Sequence, residues 1–241
     1  MVVKMRKLLS GVFMGVMIMS GAFASDVSRD MEDPLYLQSI EEIVSRTTLT
    51  YWDNILRAGQ TISYGMNNRL TLSANLHFQQ DFDGNEDGFS AIDLGGIYRL
   101  ARAEDNNSNI ISDLLFGLKF GGSSHVRTPY FADSTYYAGL RFGRQWAGMT
   151  LSGTIQSNWI FDDERGMAYI DFVPEAYFRV APDWRLGGGL IIRKATNPSF
   201  DQEWIVFKVV RQYGRTQYVG HLDYEFESDD VQVGARINIL F

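Results

Sequence analysis

The chain has 241 residues, with 22 basic and 29 acidic side chains, five prolines, no cysteine and a net charge of −7. This excludes disulfide scaffolds and thiolate metal sites and argues against a nucleic-acid partner, which needs a basic face. A hydrophobic share of 45 % with 14 % aromatics is too rich for a disordered chain, and a mean hydropathy of −0.15 excludes a bundle of membrane helices.

Residues 1–24 have the pattern of a cleavable signal peptide. Lys4, Arg6 and Lys7 form a basic start, Leu8 to Met19 an apolar run, and Ala22-Phe23-Ala24 a small-x-small end before Ser25. The apolar stretch falls short of the roughly 20 residues that span a bilayer as a helix, so cleavage after Ala24 is expected rather than retention. Cleavage removes three bases and no acid, moving the net charge from −7 to −10. An exported, acidic, cysteine-free chain fits the periplasm or outer membrane of a Gram-negative cell. Residues 25–45 place Leu35, Leu37, Ile40, Ile43 and Val44 among acids at helical spacing. They are expected as a short helix or a loose leader, in the periplasm or in a lumen.

From residue 46 onward, segments of about ten residues alternate apolar and polar side chains, the period of a strand with one oily and one wet face. In 69–79, Leu70, Leu72, Ala74, Leu76 and Phe78 oppose Thr71, Ser73, Asn75 and His77. The predicted strands are 46–52, 56–64, 69–79, 89–100, 110–120, 134–144, 149–161, 168–180, 184–194, 203–212, 216–227 and 231–241. Three features favour a transmembrane barrel over a soluble sandwich. Charge sits mid-strand on the wet faces. Aromatics gather near strand ends: Tyr64, Tyr98, Phe120, Tyr136, Trp159, Trp184, Trp204, Tyr218 and Phe241. Short connections alternate with long ones. The expectation is one all-β domain over 46–241, an antiparallel up-and-down barrel of 12 strands, with 10 as the alternative.

Candidate chemistry is sparse. In loop 80–88, Asp81, Asp83, Asn85 and Asp87 occupy the first four ligand positions of a calcium loop, but Glu86 replaces the required glycine and Ile92 the final acid. An EF-hand is excluded, leaving a weak calcium site against an acidic turn. A hydrolase needs a nucleophile, a base and a group that orients the base. Of the three histidines, His77 faces other polar wall residues, His125 sits in a glycine-rich loop, and His221 has Asp223 beside it but no nearby serine. The acid pairs Asp162-Asp163 and Asp229-Asp230 look like turn residues. No enzyme activity and no cofactor are expected.

Strand parity places Arg69, Arg99, Lys119, Arg141, Arg179, Arg185, Arg193, Lys208 and Arg236 inward with Asp93, Asp113, Asp171, Glu175, Asp223 and Glu225. Such a net basic interior is either crosslinked into a plug or a narrow water-filled pore with mild anion preference. Inward glycines (Gly95, Gly117, Gly139, Gly187, Gly189 and Gly234) suggest space for the pore.

The last segment, VQVGARINILF, sets Val233, Ala235, Ile237, Ile239 and terminal Phe241 on one face. It resembles the terminal signal of Gram-negative outer-membrane β-barrel proteins, although Ile237 stands where many of them have Tyr. The hairpin QTISYGMNNRLTLSANL is similar to hairpins of small barrels of that kind. The resemblance implies an outer-membrane location, contact with lipid and lipopolysaccharide, and the barrel assembly machinery as partner. It implies no reaction. The expected function is a narrow passive channel for small polar or anionic solutes, with a non-conducting structural or surface-interaction barrel as the alternative and an outer-membrane hydrolase as a remote third.

Overall fold

In the computed structural model, residues 30–84, 86–103, 109–126, 128–161 and 168–241 are described. Twelve strands of ten to thirteen residues form the wall: β1 (Ile43–Trp52), β2 (Ile55–Asn67), β3 (Leu70–Asp81), β5 (Ile92–Ala101), β6 (Ile111–Phe120), β7 (Thr135–Trp146), β8 (Met149–Ile160), β9 (Ala168–Arg179), β10 (Trp184–Ala195), β11 (Gln202–Tyr213), β12 (Thr216–Glu225) and β13 (Val231–Leu240). A two-residue strand, β4 (Gly88–Phe89), lies against Phe78 and Gln79. Each wall strand runs antiparallel to its sequence neighbour, and β1 pairs with β13 from Val44↔Leu240 to Tyr51↔Val233. The ring is closed, so no sheet edge is left open. Twelve strands is the expected number; the shorter first strand drawn from the sequence begins three residues earlier, at Ile43.

The two ends of the barrel differ. Both described chain ends and the tight connections near residues 68–69, 147–148, 180–183 and 214–215 lie at one, here the turn end. Gly148 and Gly214 adopt φ of 90° and 55° there, which side chains with a Cβ rarely tolerate. Most of the longer connections lie at the opposite, loop end; the one between Ala101 and Ile111 joins β5 to β6 at the turn end. Asp53-Asn54 is the short connection of the loop end, a two-residue turn with φ of 35° and 59°, the left-handed pair that matches strand twist.

The packing is inside out relative to a soluble protein. Leu140 and Ile170 are each 52 % exposed on the outer face, whereas the fully buried side chains include Gln79, Asp113, Thr135, Asn158, Gln217 and Asn238. An apolar exterior around a polar interior is what a bilayer requires. Tyr136 stacks on Trp159 at 4.7 Å near the loop end, and Tyr64, Tyr98, Trp184 and Tyr218 face outward toward the turn end. Trp204 departs from the expected girdle: it lines the interior beside Arg193 and Gln202, because the inward row of β11 runs through Gln202, Trp204, Val206 and Lys208. Residues 30–42 form turns rather than a short helix, one of the two forms expected. Asp33 accepts from the Leu35 amide at 2.8 Å, and Pro34 has no amide to give, so the local hydrogen bonds close an Asx turn.

Candidate functional site: the lumen

The wall strands bring nine bases and six acids inward. The acids are those expected: Asp93, Asp113, Asp171, Glu175, Asp223 and Glu225. The bases are Arg46, Arg57, Arg99, Lys119, Arg141, Arg185, Arg193, Lys208 and Arg236. One expected member is corrected: Arg69 stands in the turn before β3 and donates to the Leu100 carbonyl, where the chain has left the wall and strand parity no longer aims it at the lumen. Arg179, exposed at the end of β9, keeps its parity and lines the turn-end cavity at the rim with Arg185, Asp30 and Asp33. Arg46 and Arg57 join the row; Arg57 shares its face with Gly59, Thr61 and Ser63, an alternation visible in the sequence.

Opposite charges are crosslinked across neighbouring strands. Asp113, with no exposed side-chain surface, accepts from Arg99 at 2.8 Å and from Arg141 at 2.6 Å. Asp171 holds Arg193 through two hydrogen bonds of 2.7 and 2.9 Å. Glu175 meets Lys208 at 3.4 Å. The inward glycines are not open space. A side chain at Gly95 or Gly117 would enter the Tyr137 ring, and one at Gly234 would enter His221. His77 covers Gly59 in the same way. These glycines let neighbouring rings lie flat on the wall.

At the turn end the remaining bases meet the chain's own N-terminal segment. Asp30 accepts from Arg185 at 2.9 Å, Tyr177 at 2.6 Å and Gln217 at 2.9 Å. Glu32 accepts from Arg236 at 3.0 Å and Asn238 at 2.8 Å, with Lys208 at 3.9 Å. Asp33 accepts from Thr150 at 2.6 Å; Arg99 donates to the Leu35 carbonyl and Arg46 to that of Met31. Leu35 is 1 % exposed and reaches Gly143, where a Cβ would crowd it. Burial raises the Glu32 carboxyl, but Arg236, Lys208, the Asn238 amide and Arg46 overcome it and hold the group at about 2. For Asp33 burial wins, and its pKa rises despite hydrogen bonds from Thr150 and the Leu35 amide. The segment's three carboxylates offset the three-charge excess of those nine bases over the six wall acids, with Arg179 at the rim outside that count.

At the loop end, residues 121–126 and 128–134 fold over the mouth. Tyr130 adopts φ of 63°, bonds the Phe200 carbonyl at 2.6 Å and packs its ring 4.5 Å from Tyr169. Arg193 lies over both rings. Thr128 accepts from Gln79, and Phe131 covers Arg57, whose other side faces Trp52. Beneath this cover lies a cavity of about 660 Å³ between Arg57, His77 and Lys119 and, across the barrel, Asp223 and Glu225. A second cavity of about 200 Å³ continues below it, sharing Ile191, Val206 and Asp223 and reaching Glu175, Lys208 and Arg236. A third, of about 320 Å³ at the turn end, shares no lining residue with these two; Asp30 and Asp33 form part of its wall.

The other sequence candidates have structural duties. Asp81 accepts from the Asp83 and Gly84 amides, Asp87 from the Asp81 amide and Gln80, and Asp83 from Asn54. These bonds build the loop, and among the described residues no group of three or more His, Asp or Glu converges as metal ligands. Asn85 lies outside the described residues, as do Asp162 and Asp163. His221 Nδ1 lies 3.1 Å from Asp223, but among the described residues no side chain bonds its Nε2. His125 contacts the Asp87 carbonyl. Val233, Ala235, Ile237 and Ile239 line the outer face of β13, the strand that closes the ring, and the exposed Phe241 follows its last residue.

No protein-family model matches this chain, and no curated protein matches it. Solved structures do. The KdgM porin superposes with a TM-score of 0.62 at 14 % identity, covering 81 % of this chain and 98 % of its own. The NanC porin gives 0.60 at 10 % identity over 83 % and 98 %. An outer membrane channel from Pseudomonas putida F1 gives 0.58 at 12 % identity over 89 % and 100 %. At these identities the likeness shows the fold.

Proposed function

We propose that the chain is a narrow passive channel of the Gram-negative outer membrane for small polar or anionic solutes. The observation that carries this is the closed polar lumen in which the 660 Å³ and 200 Å³ cavities run from the loop end to the bases Lys208 and Arg236. A barrel filled by its own side chains, as eight-stranded barrels are, leaves no such space. The porin and channel folds it resembles support the same choice. In this account residues 1–24 direct export, the β13 row is read by the assembly machinery, and lipid and lipopolysaccharide surround the wall. One observation favours a second function: the docked N-terminal segment and the wall ion pairs suit a closed structural barrel whose loops act at the surface. Liposome swelling separates the two. Vesicles carrying refolded protein should swell in isosmotic solutions of small sugars or amino acids and stay inert to oligosaccharides; no swelling with any solute supports the structural barrel.

A further inference from the structure

We infer that the turn-end bases form an anion site that the chain occludes with its own carboxylates, so that residues 30–38 act as a displaceable plug of the channel. The inference rests on the channel function proposed above.

Three observations carry it. First, among the described residues the bases concerned, Arg46, Arg99, Arg141, Arg185, Lys208 and Arg236, have only Asp113 and Glu175 as wall partners of opposite charge, and Asp30 and Glu32 accept from Arg185 and Arg236. Buried charges need partners, and here the segment supplies them as an anionic solute would. Second, the segment stands between cavities. Asp30 bonds to Arg185 and Tyr177, which line the turn-end cavity, while Glu32 meets Lys208 and Arg236, which line the cavity leading to the loop end. Third, the segment is joined to the wall through a short turn: Ser39 and Glu42 bond each other, and Glu41, at φ of 64°, bonds Gly65 beside β1. Undocking therefore requires no strand of the ring to break. It uncovers three positive charges and opens the turn end, so conduction and anion preference appear together.

The chain has no cysteine, so an engineered pair is unique in it. Asp33 and Thr150 touch at 2.6 Å. In Asp33→Cys/Thr150→Cys, a disulfide should lock the plug, and planar-bilayer current in KCl should rise several-fold on reduction, with the parent protein indifferent to reductant. As a second arm, Asp30→Asn/Glu32→Gln should raise conductance and move the reversal potential toward anions. Equal currents in the oxidised and reduced pair, with the disulfide verified, overturn the plug while leaving the channel intact. No current in any form, in protein shown to be folded, overturns the channel and the plug with it.

Discussion

Asp113 is the residue on which the wall depends most. It is fully buried and answers two arginines from the strands on either side of it, Arg99 and Arg141. Asp113→Ala leaves both guanidinium groups facing each other without a counter-charge and should cost about 3–5 kcal/mol, because removing one partner of a buried pair strands the other. Unfolding titrations in detergent against the parent measure this; a loss near zero would mean that water already satisfies the arginines. Glu32 makes the docked segment sensitive to acid. Its carboxyl titrates near 4.5 when free and at about 2 when docked, lowered by Arg236, Lys208 and Arg46 with Asn238. Its contribution is therefore complete above the free value and is lost as pH falls toward the docked one. Asp33 acts in the opposite sense: its raised pKa means that the docked state takes up its proton sooner, so acid favours its place beside Thr150. Protease accessibility of the segment should increase between pH 4.5 and 2, and Glu32→Gln should flatten that rise.

At the scale of strands, alternation was legible wherever one face meets lipid. In β7, Tyr136, Ala138, Leu140 and Phe142 point outward opposite Tyr137, Gly139 and Arg141, and parity alone assigns them. Leu140→Arg should cost about 2–4 kcal/mol near the bilayer centre, measurable as a lower midpoint in refolding from denaturant, with Leu140→Ile close to the parent. Parity was less informative where the apolar signal is mixed. In β11, Trp204 and Val206 face the lumen while Phe207 and Val209 face out, so both rows are hydrophobic and the aromatic ring looked like a girdle member. Strand ends escaped for a different reason. Arg69 follows the inward row in sequence, but the turn carries it to the Leu100 carbonyl at the rim.

For the whole molecule, closure and strand number followed from the sequence because each hairpin is local and an even count is required to bring β13 back beside β1. The filling of the lumen did not. Asp30 meets Gln217 and Glu32 meets Asn238, contacts separated by almost the full length of the chain, and no periodicity within residues 25–45 announces them. Nor does composition reveal that the acids of a leader match the surplus bases of a wall. The same balance sets the electrical character of the barrel: near neutral along the lumen with the segment docked, strongly basic at the turn end without it, where Arg179 adds to the row. Loop-end acids Asp223 and Glu225 remain in either state and face Lys119 across the cavity.

The most direct measurement is single-channel recording of the refolded mature protein in planar bilayers under a KCl gradient. Small discrete currents, with a reversal potential on the anion side that weakens as salt screens the lumenal charges, are the result expected of a narrow channel with basic residues at its turn end. Protein that is demonstrably folded and inserted yet passes no current would contradict the channel and identify the barrel as a closed structural one.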